Sequence, residues 1–292
     1  RVLALASLGF DLSVYDLFGL LAVGGALVLP DPQRRADPSH WAACAREHGV
    51  TLWNSVPAQL QMLTHYLQAV PSMAPGALRL ALLSGDWIPL NLPAEAAQLL
   101  PQLRLISLGG ATEAAIWSIY YPITQVDPQW RSIPYGAPLA NQRFMVLDEQ
   151  GRDRPQGVAG ELYIAGSGLA LGYLGDAEKT AERFVDHPRS GERLYRTGDL
   201  GRYLEDGLIE FLGREDFQVK VRGHRIELAE VESALLSHPH VESAVVVAAG
   251  EGAFERRLQA CLRASLRDMP LAWPEQLEAR TQAAAQAVRG DL

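Results

Sequence analysis

The chain has 292 residues, 48% hydrophobic and 21% charged, ordinary proportions for globular material of one large or two unequal domains. A formal net charge of -8 leaves no basic excess to neutralise phosphates, which argues against a nucleic-acid binder. Cys44 and Cys261 lie far apart without metal-ligand spacing, as expected in a reducing, cytoplasmic setting.

The opening run "RVLALASLGFDLSVYDLFGLLAVGGALVLP" has the one arginine and apolar stretch of a signal sequence. Asp11 and Asp16 interrupt it, and a carboxylate at mid-bilayer costs about 2.5–3.5 kcal/mol. It reads instead as a buried strand followed by a helix, with no membrane or targeting segment. Through residue 125, the strand-like runs "RVLALAS", "GALVLP", "VTLWNSV", "LRLALLSG" and "LRLISLG" alternate with helical segments. Those segments are "PSHWAACAREHG", "PAQLQMLTHYLQ" and "NLPAEAAQLLP". The alternation predicts a mostly parallel sheet with flanking helices, whose ligands sit outside the carboxyl ends of the strands.

Residues 126–215 change character: "RFMVLDEQGRD", "AGELYIAGSG" and "LGRYLEDGLIEFLG" are short strands broken by glycine turns. They predict a β-rich subdomain, a small barrel or distorted sheet, with a hairpin turn at "EDG". Residues 216–265 predict a small α+β unit: a hairpin, a helix near 228–237 and the strands "VESAVVVAA" and "RLQACLRA". The tail, 266–292, is alanine-rich and helix-prone.

Three stretches carry candidate chemistry. In "LISLGGATEAAIWS", residues 105–118, a strand runs into Gly109-Gly110 and then Thr112-Glu113. Glycines admit close backbone approach, and a hydroxyl beside a carboxylate suits a phosphate oxygen and its magnesium; a plain turn with a capping threonine is the local alternative. "YRTGDLGRY", residues 195–203, places an aspartate after a Thr-Gly turn. It could accept ribose hydroxyls or simply satisfy its own turn. "GREDFQVKVRGHRIELAEVE", residues 213–232, alternates as a strand, breaks at Gly223 and turns helical. By itself it is either a charged surface hairpin or a joint beside an anionic ligand.

Taken together, "FDLSVYD", "LGGATE", "GELYIAGSGLALGYL", "YRTGDL" and "GREDFQVKVRGHRIELAEVE" occur in the order and spacing of amino-acid adenylation domains. Over residues 1 to about 265 the chain resembles these activating domains of nonribosomal peptide synthetases. The resemblance implies the adenylate-forming, acyl-CoA synthetase-like α/β fold, with 1–215 in its large core and 216–265 in its small C-terminal subdomain. It implies formation of an aminoacyl-adenylate from an amino acid and MgATP. The acyl group would then pass to phosphopantetheine on a peptidyl carrier domain, beside a condensation or cyclisation domain of the same synthetase. On matching positions, Glu113 would hold magnesium, Thr112 would contact the phosphates with Gly110 close by, and Asp199 would bind the ribose with Arg214 near the nucleotide. Asp216 would be the hinge and Gly223 would line the pantetheine approach.

The same resemblance assigns a substrate pocket. Asp11 would pair with the α-ammonium, an attraction of about 4 kcal/mol at about 4 Å and an effective dielectric near 20. Leu12, Tyr15, Asn54, Leu82, Ser84, Leu108, Ile116 and Trp117 would form the wall. This lining resembles the cysteine-selective pockets of thiazoline-forming siderophore synthetases. Serine is the competitor, since one small group is worth only about 1–3 kcal/mol in such a pocket.

The chain also departs from the family pattern. Gly109 stands where an aromatic residue usually stacks on adenine, and Ala111 replaces a proline, so adenine must stack elsewhere or bind less tightly. The Ser/Thr-rich phosphate loop and the terminal catalytic lysine have no counterparts, and neither Lys179 nor Lys220 has the right context. The isolated stretch is therefore expected to be inactive or weak. The resemblance ends near residue 265, where siderophore synthetases of this kind carry an inserted methyltransferase-like domain; the tail is the expected entry to such an insertion. The rival readings are an acyl-CoA synthetase, which Asp11 speaks against, and a catalytically silent docking platform.

Overall fold

The computed structural model describes residues 1–264 apart from 131, 215–217, 222–223, 239 and 251–256. Asp216, Gly223 and the tail 266–292 lie outside the described residues. β1 (Val2–Leu3), β2 (Leu27–Val28), β3 (Leu52–Ser55), β4 (Leu80–Leu83) and β5 (Arg104–Gly109) pair in parallel. β6 (Ile119–Ile123) and β7 (Ala137–Pro138) extend the sheet antiparallel, in the order β2-β1-β3-β4-β5-β6-β7.

Four helices connect these strands. α1 (Leu12–Val14) winds directly into a π-helical turn, Tyr15–Gly19, and α2 (Pro38–Glu47), α3 (Pro57–Ala69) and α4 (Leu92–Leu99) follow. Local chemistry sets their starts: Asp37 caps α2 by accepting from the Ser39 and His40 amides, and prolines occupy first-turn positions of α2, α3 and α4.

Side-chain alternation along the parallel strands sorts two cores. Trp53, Ala81, Leu83 and Leu105 face helices α2–α4, packing with Trp41, Leu60, Leu63 and Leu67. Leu52, Leu82 and Leu108 point to the other face, where Tyr15 and Trp117 pack on them. Asn54 pairs with Leu82 in register and, two residues from Leu52, shares that second face. Both faces are covered, which is why the strands read as near-continuous apolar runs.

The β-rich region is a second sheet. β8 (Gln142–Leu147), β9 (Gly160–Gly166), β10 (Phe184–Asp186) and β11 (Arg193–Tyr203) run in the order β10-β11-β9-β8, with β12 (Ile209–Arg214) on β11. Helix α5 (Ala177–Arg183) precedes β10. Tyr195, Leu162, Ile164 and Phe144 fill its core. "YRTGDL", expected as a turn, lies inside the eleven-residue β11, where the register with β9 slips between Arg196 and Leu200. Such bulges re-aim side chains. β12 also meets the first sheet: the Tyr135 and Gly136 amides both donate to the Ile209 carbonyl, at 2.8 and 3.2 Å.

Beyond β12 the predicted hairpin, helix and strands are present. They are β13 (Gln218–Val221) with β14 (His224–Glu227), α6 (Leu228–Leu236), and antiparallel β15 (Val241–Ala249) and β16 (Arg257–Ala264).

Candidate functional site

A cleft of about 1100 Å³, counting its open mouth, lies at the carboxyl ends of the parallel strands, where β11 and β12 close against them. Asp11 follows β1, Ser84 follows β4 and Thr112 follows β5, so three strand ends deliver side chains to one place.

On the β11–β12 wall stand Asp199 and Arg214. They face each other in register across the two strands, and the Arg214 guanidinium pairs with Asp199 Oδ1 at 2.5 Å. Arg214 also donates to the Thr197 carbonyl at 3.1 Å, while the Asp199 amide donates to Thr197 Oγ1 at 3.0 Å. Asp199 is only 5% exposed, so this pairing offsets part of the cost of burying its charge.

In the same cleft the Thr112 hydroxyl donates to Asp11 Oδ2 at 2.5 Å, joining residues 101 positions apart. Gly110 lies beside them. Glu113 is not among the lining residues. Thr112–Ala114 is a 3-10 turn, which sends consecutive side chains in different directions. The Tyr173 hydroxyl donates to Glu113 Oε1 at 2.7 Å, and the Ala170 amide to the Glu113 carbonyl at 2.8 Å. Burial, reinforced by this carboxylate, pushes the Tyr173 phenol well up. Among the described residues no cluster of three or more His, Cys, Asp or Glu could hold a metal ion. Magnesium takes one or two protein carboxylates and leaves its other positions to phosphate and water. Glu113, next to Thr112, would be that carboxylate.

The predicted substrate wall divides into two layers. Leu12, Ser84, Leu108, Ile116 and Trp117 line the cleft, with the Trp117 indole N–H donating to Ser84 Oγ at 3.1 Å. Tyr15, Leu82 and Asn54 stand behind them; Tyr15 packs on Trp117 with ring centroids 4.9 Å apart. Asn54 is fully buried, and its amide donates to the Leu12 carbonyl at 3.2 Å and to Asp16 Oδ1 at 2.9 Å. It therefore fastens the turn that carries Asp11 and Leu12. Burial raises the Asp16 carboxyl to about 6, against the opposing hydrogen bond from Asn54. Ala115 and Ile116 both adopt positive φ, 58° and 71°. That is a sparsely populated conformation for non-glycine residues, and a genuine outlier for the β-branched one.

Three aromatic residues of the cleft escaped the motif reading: Trp87, Tyr135 and Phe211. The rings of Tyr135 and Phe211 lie 5.6 Å apart, and those of Trp87 and Phe211 4.9 Å apart. The available sign was Gly109, a side-chain vacancy that another residue had to fill.

A family model described as AMP-binding enzyme matches residues 1–174. The chain belongs to the AMP-binding enzyme family. Within that family it is similar to pyochelin synthetase PchF of Pseudomonas aeruginosa, 56% identical over 295 residues, covering the whole chain and 16% of that protein. Among solved structures, the nonribosomal peptide synthetase FmoA3 in its alpha-methyl-L-serine-AMP bound form is 53% identical with a TM-score of 0.72. That match covers 74% of this chain and 25% of FmoA3. PA1221, a nonribosomal peptide synthetase protein with adenylation and PCP domains, matches at 30% identity and a TM-score of 0.80, over 93% of this chain and 54% of its own. The fold is that of nonribosomal peptide synthetase adenylation domains, as the motifs led us to expect. The chain thus spans about a sixth of its pyochelin relative. No helix among the described residues is long and apolar enough to cross a membrane.

Proposed function

We propose that this adenylation domain activates an α-amino acid with ATP for a nonribosomal peptide siderophore synthetase, and that the amino acid is L-cysteine. A substrate carboxylate oxygen attacks the α-phosphorus, pyrophosphate leaves, and the aminoacyl-adenylate forms. A phosphopantetheine thiol of a carrier domain then displaces AMP to give the thioester, handed to a condensation or cyclisation domain. One observation carries the reading: Asp11 and the Asp199–Arg214 pair line one cleft. This puts a partner for the ammonium and an acceptor for the ribose in the same cleft.

Asp11 takes the α-ammonium, relinquishing its hydrogen bond from Thr112, whose hydroxyl turns to phosphate. Asp199 accepts the ribose hydroxyls. Arg214 holds the Asp199 carboxylate in place, and Glu113 supports magnesium. Cysteine is supported by the bulk of Leu12, Leu108, Ile116 and Trp117, which leaves room for a short side chain, and by the pyochelin relative. The alpha-methyl-L-serine-AMP form of FmoA3 keeps serine as the competing substrate.

The test is amino-acid-dependent ATP–pyrophosphate exchange on the full-length protein. Cysteine should outperform serine, and Asp11→Ala should abolish exchange. Faster exchange with serine overturns the substrate, and absence of ATP binding favours a docking platform.

A further inference from the structure

Gly109 ends β5 at the cleft and offers no side chain, yet the space above it is full. A Cβ built on Gly109 would sit 1.7 Å from Cε2 of Tyr135 and 2.2 Å from its Cζ. Real Cβ atoms never approach so closely, so the ring rests directly on the glycine backbone. Tyr135 comes from a segment 26 residues downstream and lines the same cleft as Gly109, Gly110 and Asp199.

Several contacts hold the ring in place. The Gly110 amide donates to the Tyr135 hydroxyl at 3.0 Å, and the Tyr135 amide donates to the Ile209 carbonyl at 2.8 Å. Phe144 and Phe211 brace it at centroid distances of 5.8 and 5.6 Å. Gly136, at φ 113°, lets the chain pass: a Cβ there would lie 2.0 Å from the Tyr120 carbonyl oxygen. Asp199 is close enough that its charge, after burial, raises the Tyr135 phenol. A ring so fixed spends no rotamer entropy on binding, and its neighbour is the carboxylate assigned to the ribose. In a nucleoside the base is bonded to that ribose, so a base attached there needs a planar apolar face at this place.

We propose that Tyr135, occupying the space vacated at Gly109, supplies the face on which the nucleotide's base stacks. The proposal rests on the ATP-dependent reading above and specifies its base subsite. Gly109 and Tyr135 then act as one unit: the glycine makes room and the tyrosine provides the ring.

The experiment measures binding of ATP and of inorganic tripolyphosphate, which lacks a base, to the full-length protein by calorimetry. Tyr135→Phe keeps the ring and should bind ATP like the wild type. Tyr135→Leu keeps apolar volume without a π face and should bind ATP about tenfold to a hundredfold more weakly, the usual range for a lost base stack. Its tripolyphosphate affinity should not change. Gly109→Tyr alone should weaken ATP binding by collision with the native ring, and adding Tyr135→Ala should restore it. The proposal is overturned if Tyr135→Leu binds ATP like the wild type, or loses ATP and tripolyphosphate affinity equally. A Gly109→Tyr/Tyr135→Ala protein no better than Gly109→Tyr overturns it too. Wild-type protein that ignores ATP would sink the ligase reading itself, whereas normal wild-type binding with an indifferent Tyr135→Leu sinks the base subsite alone.

Discussion

Asp16→Asn should make the protein more stable at neutral pH and remove part of its pH dependence. Asp16 is 2% exposed, accepts one hydrogen bond from Asn54, and its Oδ2 has no partner among the described residues. Raising its carboxyl from 3.8 to about 6 corresponds to about 3 kcal/mol, at about 1.36 kcal/mol per pH unit. The folded chain holds this proton to higher pH than the unfolded chain, so between about 4 and 6 the native state carries more protons and stability falls as pH rises. Above that window the full penalty remains. Asparagine carries no charge to desolvate and can still accept from Asn54, at a cost of about 1 kcal/mol for the weaker hydrogen bond. The variant should therefore gain about 2 kcal/mol at neutral pH and little in acid. Urea unfolding of both proteins on either side of the window measures this. Other carboxylates pull the other way, such as Asp37, which Ser39 and Arg34 hold below the usual range. They are common to both proteins and cancel in the difference. A difference that stays flat across pH, or a variant weaker at neutral pH, would refute the reasoning.

Arg214→Ala should break the ion pair of the buried Asp199 and cost about 3–5 kcal/mol, seen in urea unfolding, together with loss of nucleotide binding. Ala115→Gly should relieve the left-handed backbone and stabilise by roughly 0.5–1 kcal/mol, measured by melting temperature, because glycine populates that region freely. Gly136→Ala should destabilise by more than about 1 kcal/mol, since its Cβ would meet backbone in a positive-φ conformation, and ATP affinity should fall with the displaced Tyr135.

Much of the frame was legible because the parallel strands are buried on both faces and their helices begin at prolines and caps. The second sheet face was legible one step further: Asn54, Leu82 and Leu108 share it by alternation alone. Whether such residues touch the cleft or stand behind it was not legible, since that depends on how Tyr15 and the π-helical turn fill the space between. Asp16 looked like a charge that merely excluded a membrane, and the fold buries it against Asn54. Thr112 and Glu113 are adjacent in the chain, yet a 3-10 turn sends one hydroxyl to Asp11 and hands the other's carboxylate to Tyr173. "TGD" has turn composition, but pairing on both sides of β11 turned it into a bulge. Tyr135 carried no motif, because its role depends on a glycine in another strand.

The overlap between positions 109 and 135 also constrains descent. A bulky residue at 109 collides while the tyrosine remains, and losing the tyrosine first opens a hole over the glycine. A lineage passing between the two arrangements must cross a weakened intermediate or change both sites at once. A comparison that scores alignment columns independently would treat as two changes what the fold couples into one.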